Sequence, residues 1–436
     1  MPRRIKRNNT IQQLRNAAVH RWYRFVLSYP DHLVSQMISR FGIKKRHTVL
    51  DPFVGTGTTL VECKKSGIDS VGIDANPVTA FASRVKTTWD IDLAEFDRRR
   101  EELLMSVREG LWSIGRQYAH QLSFDDLLPR GQILFDQDVD DENIRRLLPK
   151  NWIGEIPLQK TLLVKQAIDA LPDDSITDIF RLALAAVVVT DISNLGFGPE
   201  VYAAKRRKDA DVYGVYAEKL RQIRQDLVQV HGIPNPGRTS VHYGDARQLA
   251  TLIQGPVDYV ITSPPYPNEK DYTRITRLEL ILLGFISKKS DIRQVKKEMI
   301  RSHTRNVYVA DDDSDFVSDV PEIQEIAQEI ERRRIERGAT SGFERLYHRV
   351  VTEYFGGMYQ ALEQLQHVMP SGGKLALVVG DQMSYFRVPI RTARLLSLVA
   401  CRKLPYAEVE TLVWRTRRAT ATKMDIEEHI LILERQ

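Results

Sequence analysis

Two short segments carry residue types able to do chemistry together. The first is TSPPYPN, Thr262 to Asn268, delivered by the apolar run VDYVI. Adjacent prolines fix φ and remove two backbone donors, so the carbonyls beside them are left to accept hydrogen bonds from a ligand. The hydroxyl of Ser263 and the carbonyl of Pro264 form an acceptor pair suited to an amino group, Pro265 stiffens the turn, and the ring of Tyr266 offers a face for stacking. An amino nitrogen conjugated into a heterocycle is a poor nucleophile, and acceptors for its two hydrogens draw it out of conjugation. Its attack on an activated methyl then depends on positioning, without a covalent intermediate.

The second segment is DPFVGTGTT, Asp51 to Thr59, with Gly55 and Gly57 in a tight turn where a side chain would block a ligand. Asp74, in GIDANP, follows Asp51 at close to the roughly 20-residue offset at which an acid accepts ribose hydroxyls. A nucleoside-bearing cofactor is implied. Taken alone, the glycine turn also fits structural packing or a nicotinamide cofactor, but Thr58 and Thr59 stand where the third glycine of a dinucleotide motif would come closer. Likewise TSPPY alone also reads as an edge turn whose prolines supply rigidity.

These segments need strands to hold them. His47 to Asp51 reads as a strand running into the glycine turn, residues 58–66 as a helix capped by Thr58 or Thr59 and ended by Gly67, and SVGID as a second strand. Strand, glycine turn, helix and strand begin a βαβ unit and imply a parallel sheet. Further strands are predicted at Ser240 to Tyr243, Val257 to Thr262, Lys374 to Gly380 and His429 to Glu434, with another at Ala407 to Val413. Two prolines cannot continue a central strand, so TSPPY falls at the strand's carboxyl end.

The stretch between the second and third strands is far longer than an ordinary connection and has helical periodicity. The organisation predicted is therefore an N-terminal part of a core at 1–86, a helical insertion at 87–238, a core segment at 239–270, a second insertion at 271–370 and a C-terminal core segment at 371–436. The second insertion contains the helical segment PEIQEIAQEIERRRIERG and an acidic run, DDDSD, read as a solvated loop.

A net charge of +6 over 436 residues suits a polyanionic partner, although charge of this size also reports mere solubility. The two cysteines, Cys63 and Cys401, build neither a disulfide framework nor a thiolate metal cluster, no metal site is expected, and the usage fits a reducing cytoplasm. The basic start MPRRIKRNNT has no apolar segment behind it, and no run approaches a membrane span.

With these residues in view, the chain resembles the prokaryotic amino-methyltransferases of DNA, which make N4-methylcytosine or N6-methyladenine. DPFVGTGTT is similar to that family's cofactor motif, Asp74 to its ribose-binding acid and TSPPY to its catalytic tetrapeptide. The resemblance implies a doubly wound, mostly parallel seven-stranded sheet of the class I S-adenosylmethionine-dependent type with large helical insertions. It implies S-adenosylmethionine as cofactor, held by Asp51, Phe53, Gly55, Gly57, Thr58 and Asp74. Asp245 in YGDAR would meet the adenine ring, and Tyr29 and Pro30 in SYPDHL would line the methionine end. Tyr272 and Arg274 resemble the segment after the catalytic loop.

Ser263, Pro264, Pro265 and Tyr266 would be catalytic, and a serine at the first position is similar to the cytosine-N4 enzymes. DNA is the implied partner, with a cognate restriction nuclease as a further one. The chain departs from the family's common layouts by placing a large insertion between the cofactor motif and Asp245, so either insertion could read DNA. Lys205 to Lys208, Arg301 to Arg305 and Arg415 to Arg418 are candidates for phosphate contacts, each also readable as a solvated face. Adenine N6, an RNA amino group and a protein glutamine remain alternative targets, and a core that binds DNA without catalysis is a reading of another class. Methylation at the C5 carbon of cytosine fits poorly, because neither cysteine stands beside a proline.

Overall fold

The computed structural model describes residues 17–24, 28–117, 141–197, 201–204, 206–418 and 425–436. Seven strands form one sheet: β1 (Thr48–Asp51), β2 (Asp69–Asp74), β5 (Thr239–Tyr243), β6 (Tyr259–Thr262), β7 (Lys374–Gly380), β8 (Tyr406–Arg418) and β9 (Asp425–Arg435). Their order is β5-β2-β1-β6-β7-β9-β8, and β3 (Leu195–Phe197) and β4 (Val201–Ala203) make a separate hairpin. The first five pair in parallel, while β9 runs against both of its neighbours. This is the mostly parallel seven-stranded sheet that the sequence predicts. β8 and β9 outrun their predicted limits and extend beyond the end of β7.

The central strands β1, β6 and β7 read as apolar runs because both faces are covered. Along β7, Leu375, Leu377 and Val379 join one cluster, with Tyr354 and Phe355 of α14 (Tyr347–Leu365) and Leu396 of α15 (Thr392–Lys403). Ala376 and Val378, pointing the other way, join Leu33 and Met37 of α1 (Asp31–Phe41) and Cys63 of α2 (Thr58–Lys65). The chain runs outward from β1 through β2 to β5, then returns to β6 on the other side of β1. A crevice therefore opens beyond the carboxyl ends of β1 and β6, where the strand order reverses.

After α3 (Pro77–Thr87) come α4 (Leu93–Gln117), α5 (Glu142–Leu147), α6 (Glu155–Asp169), α7 (Ser175–Val187) and α8 (Val212–His231). Phe96, Phe180 and Leu220 from these helices share one apolar cluster with Phe81 of α3 and with Trp22. Asp226 of α8, fully buried, ties the start of the described chain to them. Its carboxylate accepts from the Val19 amide and the Trp22 indole, each at 2.9 Å, and from Arg21 Nε at 3.0 Å.

After α9 (Leu249–Leu252) and β6 follow α10 (Tyr272–Ile275), α11 (Arg277–Leu282), α12 (Lys289–Glu298) and α13 (Pro321–Glu336). Two sequence expectations are corrected between α12 and α13. The acidic run is not simply solvated: Asp313 is 5% exposed and bonds Arg247 and Gln360, at 2.7 and 2.6 Å. Asp311 takes both ends of the Arg301 guanidinium at 2.8 Å. Arg301 is correspondingly buried and also donates to the carbonyls of Lys297 and Met299, so it braces the insertion and is not placed to meet a phosphate.

Candidate active site

β1 ends in Asp51, a carboxylate with no exposed surface. Oδ1 accepts from the Phe53 amide at 3.1 Å and from the Thr262 hydroxyl at 2.5 Å. Oδ2 accepts from Tyr29 at 3.1 Å and from Thr59 at 2.7 Å. One side chain thus fastens the glycine turn, the start of α2, the segment before α1 and the end of β6 to one another. Burial pushes its carboxyl up, while these donors pull the other way.

The helix cap differs from expectation. Gly57 is the N-cap of α2, at φ 82°, and neither threonine caps it by side chain. A Cβ on Gly57 would stand 2.6 Å from Ser83 Oγ, so close packing on α3 as well as backbone conformation demands glycine here. Thr59, freed from capping, bonds Asp51. The turn is held from behind by Lys86, whose buried ammonium donates to the Thr56 carbonyl at 2.6 Å and whose pKa burial pushes down to about 7.

Asp74 ends β2. Its Oδ2 accepts from the Gly55 amide and its Oδ1 from the Asn76 amide, both at 2.8 Å. Each carboxylate oxygen keeps further acceptor capacity for a ligand. Burial raises this carboxyl to about 6, against the pull of the two amides.

On β6 the chain passes Thr262 and enters the proline turn. Ser263 Oγ donates to the Val378 carbonyl of β7 at 3.0 Å, and Tyr266 reaches the same carbonyl at 3.4 Å. A hydroxyl that spends its hydrogen in this way presents lone pairs to whatever lies before it. A Cβ at Gly380 would lie 3.1 Å from the Tyr266 ring, so the ring seats directly on the backbone of β7.

These pieces surround a cavity of about 300 Å³. Tyr29, Phe53, Gly55, Thr58, Asp74, Asp245 and the whole of Ser263, Pro264, Pro265 and Tyr266 line it. Asp51, Gly57 and Pro30 stand behind the wall: Asp51 as the hub just described, Gly57 as the cap, and Pro30 as the N-cap of α1. Asp245 is 9% exposed and pairs with Arg247 at 2.7 Å. Of the softer expectations, Tyr272 lines the cavity and Arg274 does not.

Several wall residues were not anticipated. Asn268, Lys270 and the stretch Glu298 to Ile300 come from the second insertion's side, and Trp414, Arg415, Arg417 and Glu428 from the β8–β9 hairpin. Asn268 Oδ1 is buried without a partner, an acceptor that a bound ligand would satisfy. Asn268 and Lys270 also border a second hollow, lined further by Glu269, His303, Thr304, Arg305, Phe343 and Tyr347. Of the basic clusters, Arg415 and Arg417 face the first cavity, Arg305 the second, and Lys205 lies outside the described residues. His20, Asp31 and Glu62 bring ligand atoms within 4.8 Å of one another, but Glu62 already bonds His20 and the Lys65 ammonium, each at 2.8 Å.

The residues fit an S-adenosylmethionine-like ligand in three respects. A Cβ built on Gly55 meets nothing nearer than 4.0 Å, which leaves room against the turn. Asp74 offers acceptors to vicinal hydroxyls, and Asp245 offers one across the cavity. Among the described residues no helix is long and apolar enough to cross a membrane.

Comparison with known proteins agrees with this geometry. A family model described as DNA methylase, for N6 and N4 methyltransferases, matches residues 4–81. The type II methyltransferase M.BsoBI of Geobacillus stearothermophilus is 28% identical over 306 residues, covering 68% of this chain and 58% of that protein. M.AvaI of Nostoc, another type II methyltransferase, is 22% identical over 416 residues, covering 87% of this chain and 78% of its own length. A solved structure of TrmN from Thermus thermophilus superposes with a TM-score of 0.30 at 9% identity, covering 93% of this chain and 49% of that one. The fold class here rests on strand order, not on that superposition.

Proposed function

We propose that the chain is an amino-methyltransferase of DNA that methylates an exocyclic amino group at a specific DNA site, the N4 of cytosine, using S-adenosylmethionine. The observation that carries this reading is the placement of Ser263 to Tyr266 across one cavity from Asp74 and the Gly55 turn, at the point where the sheet's strand order reverses.

The cofactor supplies an electrophilic methyl on a sulfonium. Asp74 takes its ribose hydroxyls, Asp245 its adenine amino group, and Phe53, Gly55 and Thr58 shape the bed between. Tyr29 closes the methionine end, with Pro30 behind it. The target base enters from the other side, flipped out of the duplex at a cost of a few kcal/mol, because its amino group is unreachable in the stack. There the Ser263 hydroxyl and the Pro264 carbonyl accept the two amino hydrogens, and Tyr266 stacks on the ring.

Asp51 touches neither ligand; through Thr262 and Thr59 it fixes the distance between the two halves of the site. The second insertion supplies Tyr272 and Glu298 to Ile300 to the cavity wall, and Arg305 lines the adjoining hollow that shares Asn268 and Lys270 with it, which suits a phosphate of the strand beside a flipped base. A cognate nuclease acting at the same site completes the reading of a modification enzyme.

The test is incubation of the protein with methyl-labelled S-adenosylmethionine and unmethylated bacterial DNA, followed by digestion to nucleosides. Label in N4-methyldeoxycytidine is the expected result. Label in N6-methyldeoxyadenosine would overturn the base assignment and keep the chemistry. Absence of label in DNA, with label in RNA or protein, would overturn the substrate.

A further inference from the structure

β8 departs from a regular pleat where it passes the cavity. Its register with β9 slips between Val413 and Arg415. Trp414 and Arg415 both line the cavity, whereas consecutive residues of a regular strand face opposite sides. A bulge at this place re-aims a side chain, and here it turns an indole and a guanidinium to the same side. The Arg415 guanidinium lies 4.4 Å from the Trp414 ring centroid.

Glu428 of β9 fixes the guanidinium. Arg415 Nε and Nη2 donate to its two oxygens at 2.6 and 3.1 Å, and Arg417 Nε stands 3.1 Å from the same carboxylate. Glu428 is 3% exposed, so the pairing is sheltered from water. It is also next to the catalytic loop: a Cβ at Gly380 would touch the Tyr266 ring at 3.1 Å and Glu428 Cγ at 3.2 Å.

A guanidinium has five N–H groups, and a bidentate carboxylate engages two. The remaining donors, beside a flat indole, match a planar heterocycle with acceptors along its edge. Beside its amino group cytosine carries two such acceptors in succession, N3 and O2, whereas adenine carries N1 and then a C–H. Resting on the amino-methylation reading above, we propose that Arg415, positioned by Glu428 and Trp414, reads the N3 and O2 edge of the flipped base and so selects cytosine over adenine. One acceptor lost from a base read by a bidentate arginine lowers recognition roughly 10- to 100-fold.

The experiment first maps the methylated site on genomic DNA treated with the native protein. Duplexes are then made with cytosine or 3-deazacytosine, which keeps the amino group and O2 but lacks the N3 acceptor, at the target. The native protein should lose roughly 10- to 100-fold in kcat/KM on 3-deazacytosine. Arg415→Met should lose a similar factor on cytosine and no longer distinguish the two bases, with affinity for S-adenosylmethionine unchanged within twofold. If Arg415→Met does not fold because Glu428 keeps only Arg417 as its counter-ion, Arg415→Met with Glu428→Gln, or Arg415→Lys, replaces it and should show the same loss of discrimination.

Native discrimination persisting in a folded variant overturns the proposal and leaves the amino-methylation reading intact. A native protein indifferent to 3-deazacytosine does the same. N6-methyladenine as the native product overturns the base reading and this proposal together.

Discussion

Ser263 and Asp74 line the same cavity, and the separate tasks proposed for them should be separable by substitution. On the proposed reading, Ser263→Ala removes one acceptor for the amino hydrogens and none of the cofactor's contacts. Calorimetry should find affinity for S-adenosylmethionine unchanged, while turnover falls by about 1–3 kcal/mol of barrier, roughly 10- to 100-fold; undiminished turnover would exclude this role. In the proposed role Asp74 accepts ribose hydroxyls best as a carboxylate, and burial raises its pKa to about 6. Cofactor affinity should therefore be level above that pH and fall as the pH drops through it, with proton release on binding near the midpoint. Asp74→Asn should bind more weakly at neutral pH and lose this dependence. The legible residues, Asp51, Asp74 and Ser263 to Tyr266, sit where a strand visibly stops at glycine or proline. Trp414, Arg415 and Glu428 were not legible as wall residues, because a register slip within a strand pair leaves no mark in the alternation of a single strand.

At the scale of elements, β1, β6 and β7 were predictable because covered parallel strands are continuous apolar runs bounded by turns. Caps and braces were less so. The threonines after Gly57 look like cap residues, yet packing on Ser83 gives the cap to glycine and Thr59 to Asp51. Arg301 and Asp311 read as separate charge clusters, and only the fold shows that they neutralise each other inside the second insertion. The clasp at Asp226 is likewise invisible in sequence, since its partners Val19, Arg21 and Trp22 lie at the far end of the chain. Asp226→Ala would leave a buried indole N–H and amide unpaired and Arg21 without its counter-ion. A loss of about 3–5 kcal/mol is expected in urea unfolding, with earlier proteolytic cleavage near Trp22. A loss below about 1 kcal/mol would mean the clasp is incidental.

For the molecule as a whole, a net charge of +6 and the exposed Arg305 beside Lys270 in the second hollow make the proposed DNA binding an electrostatic quantity. Raising salt from 50 to 200 mM should weaken DNA binding with a log–log slope of roughly −3 or steeper, each phosphate contact contributing about 0.9. Affinity for S-adenosylmethionine, proposed to be held mainly by hydrogen bonds within the cavity, should change far less over that range. The order of strands in the sheet has another consequence, for how the chain is made. β1 and β2 pair and lie close together in the chain, but the strands that flank this pair begin only at Thr239 and Tyr259. On a ribosome adding about 5–20 residues per second, that delay is on the order of 10–40 s. Through it, a nascent parallel pair would have α1, α2 and α3 available to it but two open edges, the surface to which other unfinished chains add. The yield at which cells make this protein and the stability of the finished molecule are thus governed by different stretches of the same chain.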